Sequence, residues 1–405
     1  MPDAAPRLFP ALAPLPLLLA YVVAPVLRAV AALIPAASAV ADPAELLARD
    51  LAGTLLGGMW LGLAGLALAC ALAAPGGHGP ETGGRRFWRR APAAAAAVLL
   101  AGWALATWWP RVLSLAPVPP AALAELAPVA FLLFALAWAR TFGLPSRRWF
   151  VAMGGVLALL TLADLGLSHL RSMASMLPYG EGLLGEPELP ALLLLVSLCA
   201  SLRPADEPAA GDPVSRLLIP LGLAATGSPP ALFAAAWVLL FFGPRRLGHR
   251  LLLSGALLAV LALALAWPAA LWPWDWRGGY WLRMLGISLL ADHPGALLTG
   301  FPFSAPLPHA SGSLTALLPQ PLLDARLYPV NFPSCWVRMT LAWGLAAPLL
   351  VVLGAGTLLS FKGTRFGVAL LACAIAQGLA HPMLYQASAA VPLPPLLDED
   401  HPRAA

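Results

Sequence analysis

Residues 54–75 read TLLGGMWLGLAGLALACALAAP, 22 positions without a charged side chain. An α-helix needs about 20 predominantly apolar residues to cross roughly 30 Å of hydrocarbon, and this run is long enough. Ala121 to Ala139 and Trp336 to Leu359 are runs of the same kind. A membrane β-barrel would show ten-residue segments of alternating polarity instead, so the pattern predicts an all-α, polytopic transmembrane helical bundle.

Composition points the same way. Of 405 residues, 60% are hydrophobic and 11% charged, whereas a soluble domain carries about 25% charged residues. The net charge of +5 is scattered over loops, where it serves membrane topology, so nucleic acid is not an expected partner. Cys70, Cys199 and Cys373 fall inside apolar segments and only Cys335 sits near a loop. No disulfide framework or metal pair is readable from that spacing, and no cofactor is expected.

Working outward, helices are expected at about 10–35, 54–75, 91–109, 121–139, 149–169, 189–202, 217–227, 229–243, 251–271, 336–359 and 366–386, about 11 in all (10–12). The whole chain reads as one integral membrane domain. The pair 217–227 and 229–243 is read as two half-length helices turning at Gly227-Ser228-Pro229-Pro230. Basic residues collect on alternate loops: Arg7; Arg85, Arg86, Arg89 and Arg90; Arg140, Arg147 and Arg148; Arg203 and Arg216; Arg245, Arg246 and Arg250; Lys362 and Arg365. Those 15 of the 24 basic residues define the cytoplasmic side, which puts the N-terminus inside and residues 272–335 in one large extracytoplasmic loop.

That loop interrupts the apolar pattern with Trp272, Trp274, Trp276, Arg277, Trp281, Arg283, Asp292, His293, His309, Arg326 and, just beyond it, Arg338. Polar and aromatic side chains that gather where a chain leaves the bilayer are candidates for chemistry. Arg283, in Tyr280-Trp281-Leu282-Arg283, offers a fork of donors suited to a diphosphate, or it anchors the segment at the interface. His309, in Pro308-His309-Ala310-Ser311-Gly312, has the pKa range of a general base, or it is a solvated loop residue. The tryptophans stack on sugar rings or mark the membrane boundary. His293, before Pro294, suits the capping of a turn. Asp164 and His169 share the outer end of one helix, and Arg28 lies inside the first, with a lipid phosphate or Glu125 as candidate partner. Asp42, Glu45 and Asp50 form a candidate acidic cluster in the first outer loop, or cap helices there.

Three pieces resemble the O-antigen ligase and polymerase family, membrane enzymes that move glycans from a polyprenyl-diphosphate carrier. They are Leu221 to Leu232, with Thr226-Gly227-Ser228; Arg283 followed by Ala291 to Gly300; and Pro333 to Gly344. The likeness covers about residues 215–385, and the order of the pieces and the single large loop fit it too. It implies a metal-independent glycosyltransferase or ligase of the inner membrane, acting in polysaccharide biosynthesis for the cell envelope. Its partners would be a polyprenyl-diphosphate-linked glycan and the lipid bilayer. Arg283 and His309 become the candidate catalytic residues, and Arg326, Arg338, Trp276, Trp281 and Arg277 the candidate substrate contacts. The departures are Pro229 at the family's arginine and Pro333 at its loop histidine. Either His309 with Arg326 or Arg338 takes over, or the bundle serves as a non-catalytic subunit or transporter. A further reading is a polyprenyl-phosphate-dependent sugar transferase using Asp42, Glu45 or Asp50.

Overall fold

The structure, a computed structural model, describes residues 10–33, 55–66, 145–175, 182–202, 213–244, 246–266, 277–301, 306–309, 327–353 and 365–378, together with His381, Leu384 and single positions between 125 and 142. These are almost wholly helical, and among them there is no strand, only an isolated bridge between Gly182 and Gly185. The expected helix at 91–109, the acids Asp42, Glu45 and Asp50, and Trp272, Trp274, Trp276 and Arg326 lie outside the described residues. Among the described residues, three helices are long and apolar enough to cross a membrane: Leu15–Ala32, Arg147–Leu170 and Leu247–Ala266. The chain is a helical membrane protein.

The chain divides into two compact units, one built from residues 1–78, 131–275 and 387–405, the other from 79–130 and 276–386. In the first, a continuous rod is made of α1 (Leu15–Leu18), a π-helical turn (Leu19–Val23) and α2 (Ala24–Leu33). After α3 (Leu55–Leu66) come α4 (Arg147–Ser175), α5 (Glu188–Ser201), α6 (Pro213–Thr226), α7 (Pro229–Phe242) and α8 (Leu247–Ala266). The expected break appears where Gly227 takes φ 62° and Ser228 is extended, so α6 and α7 are separate helices of 14 residues. Pro229 and Pro230 then open α7, positions where a missing N–H costs nothing.

α4 is the seam of this unit. A Cβ at Gly154 would overlap Ser197 of α5, one at Gly155 would overlap Ser215 of α6, and one at Gly222 of α6 would lie 2.7 Å from the Ala158 main chain. In lipid, where hydrocarbon competes for every apolar surface, such close backbone approach and interhelical hydrogen bonds hold helices together. The bonds are present: Ser197 Oγ donates to Phe150 O at 2.9 Å, and Tyr21 Oη to Leu193 O at 2.9 Å. The outward faces are apolar. Phe233, Trp237 and Phe241 form a half-exposed ridge on α7 with ring centroids 6.3 and 4.6 Å apart, and α8 turns Leu251 and Leu252 outward. In water these stripes would be an aggregation hazard, whereas hydrocarbon solvates them.

Asp164 is buried, as its cost in lipid demands of a functional or structural role. Its carboxylate accepts from the Leu183 amide at 2.7 Å, the Leu184 amide at 3.3 Å and Ser168 Oγ at 3.0 Å. It thereby ties down a tight turn whose two leucines are themselves buried, and the Arg28 side chain runs alongside Gly185 of that turn.

Candidate functional site

The second unit contains the stretch that the sequence marked from Trp276 onward. Its first element, α9 (Arg277–Asp292), lies inside the segment expected as loop. The signal for it was legible: Trp281, Leu285 and Leu289 recur at four-residue spacing, which makes one apolar stripe. Leu285 and Leu289 bury into a cluster with Ala296, Phe301, Leu307, Phe332 and Leu341, and Trp281 and Met284 pack against it. Gly286 permits this approach, since a Cβ there would run into Val337 and the Phe332 ring.

Beyond α9 the chain turns at residues 293–295 into α10 (Ala296–Thr299). At this turn the His293 main chain bonds on both sides: its N–H donates to Leu289 O at 3.1 Å and its carbonyl accepts from Ala296 N at 2.9 Å. Its ring stands edge-on to Phe301, centroids 5.8 Å apart. Leu307 returns to the cluster and hydrogen-bonds Leu327 O at 2.7 Å, and a 3-10 turn (Pro329–Asn331) leads to Ser334. Ser334 caps α11 (Cys335–Trp343) by accepting from the Val337 amide, and its hydroxyl also donates to Gly378 O of α13 (Arg365–Gly378) at 3.1 Å.

The run expected as one helix over 336–359 is broken. α11 ends at Gly344, φ 79°, and a second helix, α12, follows at 346–353. α10 ends in the same way at Gly300, φ 71°. The two breaks cross. Phe301 N–H donates to Leu341 O at 2.7 Å, and Leu345 N–H donates to Leu297 O at 2.6 Å.

One turn before Leu341, Arg338 is buried against Glu125, with Nε at 3.0 Å and Nη2 at 2.9 Å from the same carboxylate oxygen. Ser334, Cys335, Gln377 and His381 are also fully buried. The Cys335 amide reaches His381 O at 3.3 Å, and His381 N–H donates to Gln377 O at 2.9 Å. In a chain with so few charges, these buried polar groups at 334–338 and 377–381, with Glu125, stand out as a place that hydrocarbon would not tolerate without a purpose.

The structure separates the sequence candidates by environment. Arg283 is half-buried on α9, two residues from half-buried Trp281. His309 is exposed, two residues past buried Leu307. Arg277 opens α9. Arg338, expected as a substrate contact, has its Nε–Nη2 edge occupied by Glu125. The sequence offered Glu125 to Arg28 and gave no role to Gln377 or His381, because nothing in a linear pattern pairs positions 213 residues apart. Among the described residues no group of three or more metal-ligating side chains forms. No family model, curated protein or solved structure matches the chain.

Proposed function

We propose that this protein transfers a glycan from a polyprenyl-diphosphate carrier in bacterial surface-polysaccharide assembly, in the manner of O-antigen ligases and polymerases. The observation that carries this reading is the setting of Arg283. It is a half-buried guanidinium on a helix whose apolar stripe, which includes Trp281, is packed in an apolar cluster, and a diphosphate on a membrane-embedded carrier would present its charge between polar and apolar surroundings of this kind. On this reading the protein sits in the inner membrane with its N-terminus inside, about 11 helices and the 272–335 segment outside. An acceptor hydroxyl attacks the anomeric carbon and the bond from that carbon to the carrier diphosphate breaks. Arg283 holds the departing diphosphate, and His309 takes the acceptor's proton. Trp276, Trp281, Arg277 and Arg326 would seat the glycan.

Deletion of the protein should cause polyprenyl-linked glycan to accumulate. Arg283→Lys should reproduce that accumulation at normal protein level, because an ammonium cannot make the paired contacts of a guanidinium. Unchanged lipid-linked glycans in the deletion strain would refute the reading.

A second reading, a membrane subunit or transporter without transferase chemistry, is favoured by the crossed helix breaks and the buried Glu125–Arg338 pair. Interrupted helices and intramembrane charges recur where transporters bind their cargo.

A further inference from the structure

Residues 296–301 and 340–345 repeat one arrangement: a helix end, a glycine in the left-handed region, and an apolar residue whose amide caps the other segment. A shift of 44 positions maps Leu297 to Leu341, Gly300 to Gly344 and Phe301 to Leu345, and the two cross-bonds exchange under it. The approach admits no side chain at either glycine. A Cβ at Gly300 would lie 2.5 Å from Ala342 O, and one at Gly344 would overlap Leu298 O. Each helix end carries a partial negative charge from its last carbonyls, so two such ends repel unless donors are placed between them. Here each end takes its donor from the other.

The geometry points to a coupled hinge: the breaks in α10 and α11 open and close as one unit, and they link α9 to the Glu125–Arg338 pair. Straightening α11 at Gly344 would carry the Leu345 amide away from Leu297 and leave α10 uncapped. Straightening α10 at Gly300 would withdraw the Phe301 amide from Leu341 in the same way. On one side Phe301 is packed with Leu285 and Leu289 of α9 and edge-on to His293. On the other, Leu341 lies one turn from Arg338. A ligand that displaces α9 therefore reaches the buried ion pair by two routes, its direct packing on α11 at Val337 and Leu341 and the two crossed hydrogen bonds, whether the protein is a transferase or a transporter.

Hydrogen exchange of the wild-type protein in detergent tests this directly. The Phe301 and Leu345 amides should exchange through one opening, with equal protection after correction for their intrinsic rates; unequal protection would overturn the coupling. Variants provide a second measurement, read as maleimide labelling of buried Cys335 located by peptide mass. Gly300→Ala and Gly344→Ala should each speed labelling roughly 5- to 30-fold, the factor expected from the strain of a left-handed alanine. Gly295→Ala, with open space around it and an ordinary φ of −63°, should leave it unchanged. The double variant should label faster than either single one, by about the product of the two factors, because one shared opening relieves both strains. A double variant no faster than the sum of the two singles, or a single glycine variant with the wild-type rate, would show two independent breaks.

Discussion

Both donors on one edge of the Arg338 guanidinium, Nε and Nη2, converge on a single oxygen of Glu125. With both side chains buried, this is a costly contact to leave half made. Removing one member strands a charge in a low-dielectric interior, at about 3–5 kcal/mol, whereas replacing both with apolar groups of similar volume is often neutral. Arg338→Met and Glu125→Leu should each lower the unfolding temperature in detergent, and the double variant should recover most of the loss. Additive losses in the double variant would mean that each residue has a separate essential partner.

The α4 seam gives a prediction that does not depend on function. Gly154→Leu puts a branched side chain where Ser197 of α5 stands. It should lower the thermal stability of the detergent-solubilised protein by at least the roughly 1–3 kcal/mol of an overpacked core. Gly166→Leu, on the same helix with nothing within 4 Å of its Cβ position, should change stability by less than about 0.5 kcal/mol. Equal effects of the two would show that α5 does not pack at Gly154.

His309 can serve as a base only if its exposure lets it reach an acceptor. His309→Ala should reduce glycan transfer by roughly 10²–10⁴-fold at unchanged protein level. His293→Ala should act less on transfer, because the turn is capped by its main chain and not by its ring. If both variants keep full transfer, the histidine-base step is wrong and the acids at 42, 45 and 50 become the ones to substitute.

Orientation is open to reporter fusions. Enzymatic reporters placed after Gly84, Ser146 and Gly248 should read cytoplasm, and one after Gly312 should read the outside. The same side for Gly248 and Gly312 would break the alternation on which the outer position of α9 rests.

Much of the architecture was legible locally. Gly227-Ser228 followed by two prolines announces the end of one helix and the start of the next, and the helices expected at about 10–35 and 251–271 correspond to the long apolar helices Leu15–Ala32 and Leu247–Ala266. The break at Gly344 escaped notice because its cause lies elsewhere in the chain. Glycine inside an apolar run is ordinary in membrane helices, and only the crossing with Gly300 obliges this one to take φ 79°. The four-residue spacing of Trp281, Leu285 and Leu289 is the local signal for α9, but tryptophans and glycines before it and Asp292-His293-Pro294 after it give the region as a whole the composition of a loop. Arg283 and His309 were singled out by residue type, and the structure adds their environments, one half-buried and one exposed. The Glu125–Arg338 contact depends on a fold that composition alone does not specify.

The small residues along α4 also govern how this protein answers to temperature. A soluble domain that unfolds hydrates its apolar surface, gaining about 12–15 cal/mol/K per residue in heat capacity, which bends its stability curve into a dome and weakens it in the cold. When α5 or α6 leaves Gly154, Gly155 and Ala158 inside a bilayer, the freed faces meet acyl chains and little water orders around them. The heat-capacity term of that separation is correspondingly small. The seam therefore keeps a nearly flat stability profile on cooling, and its strength follows how closely the lipid chains themselves can pack against the exposed glycines.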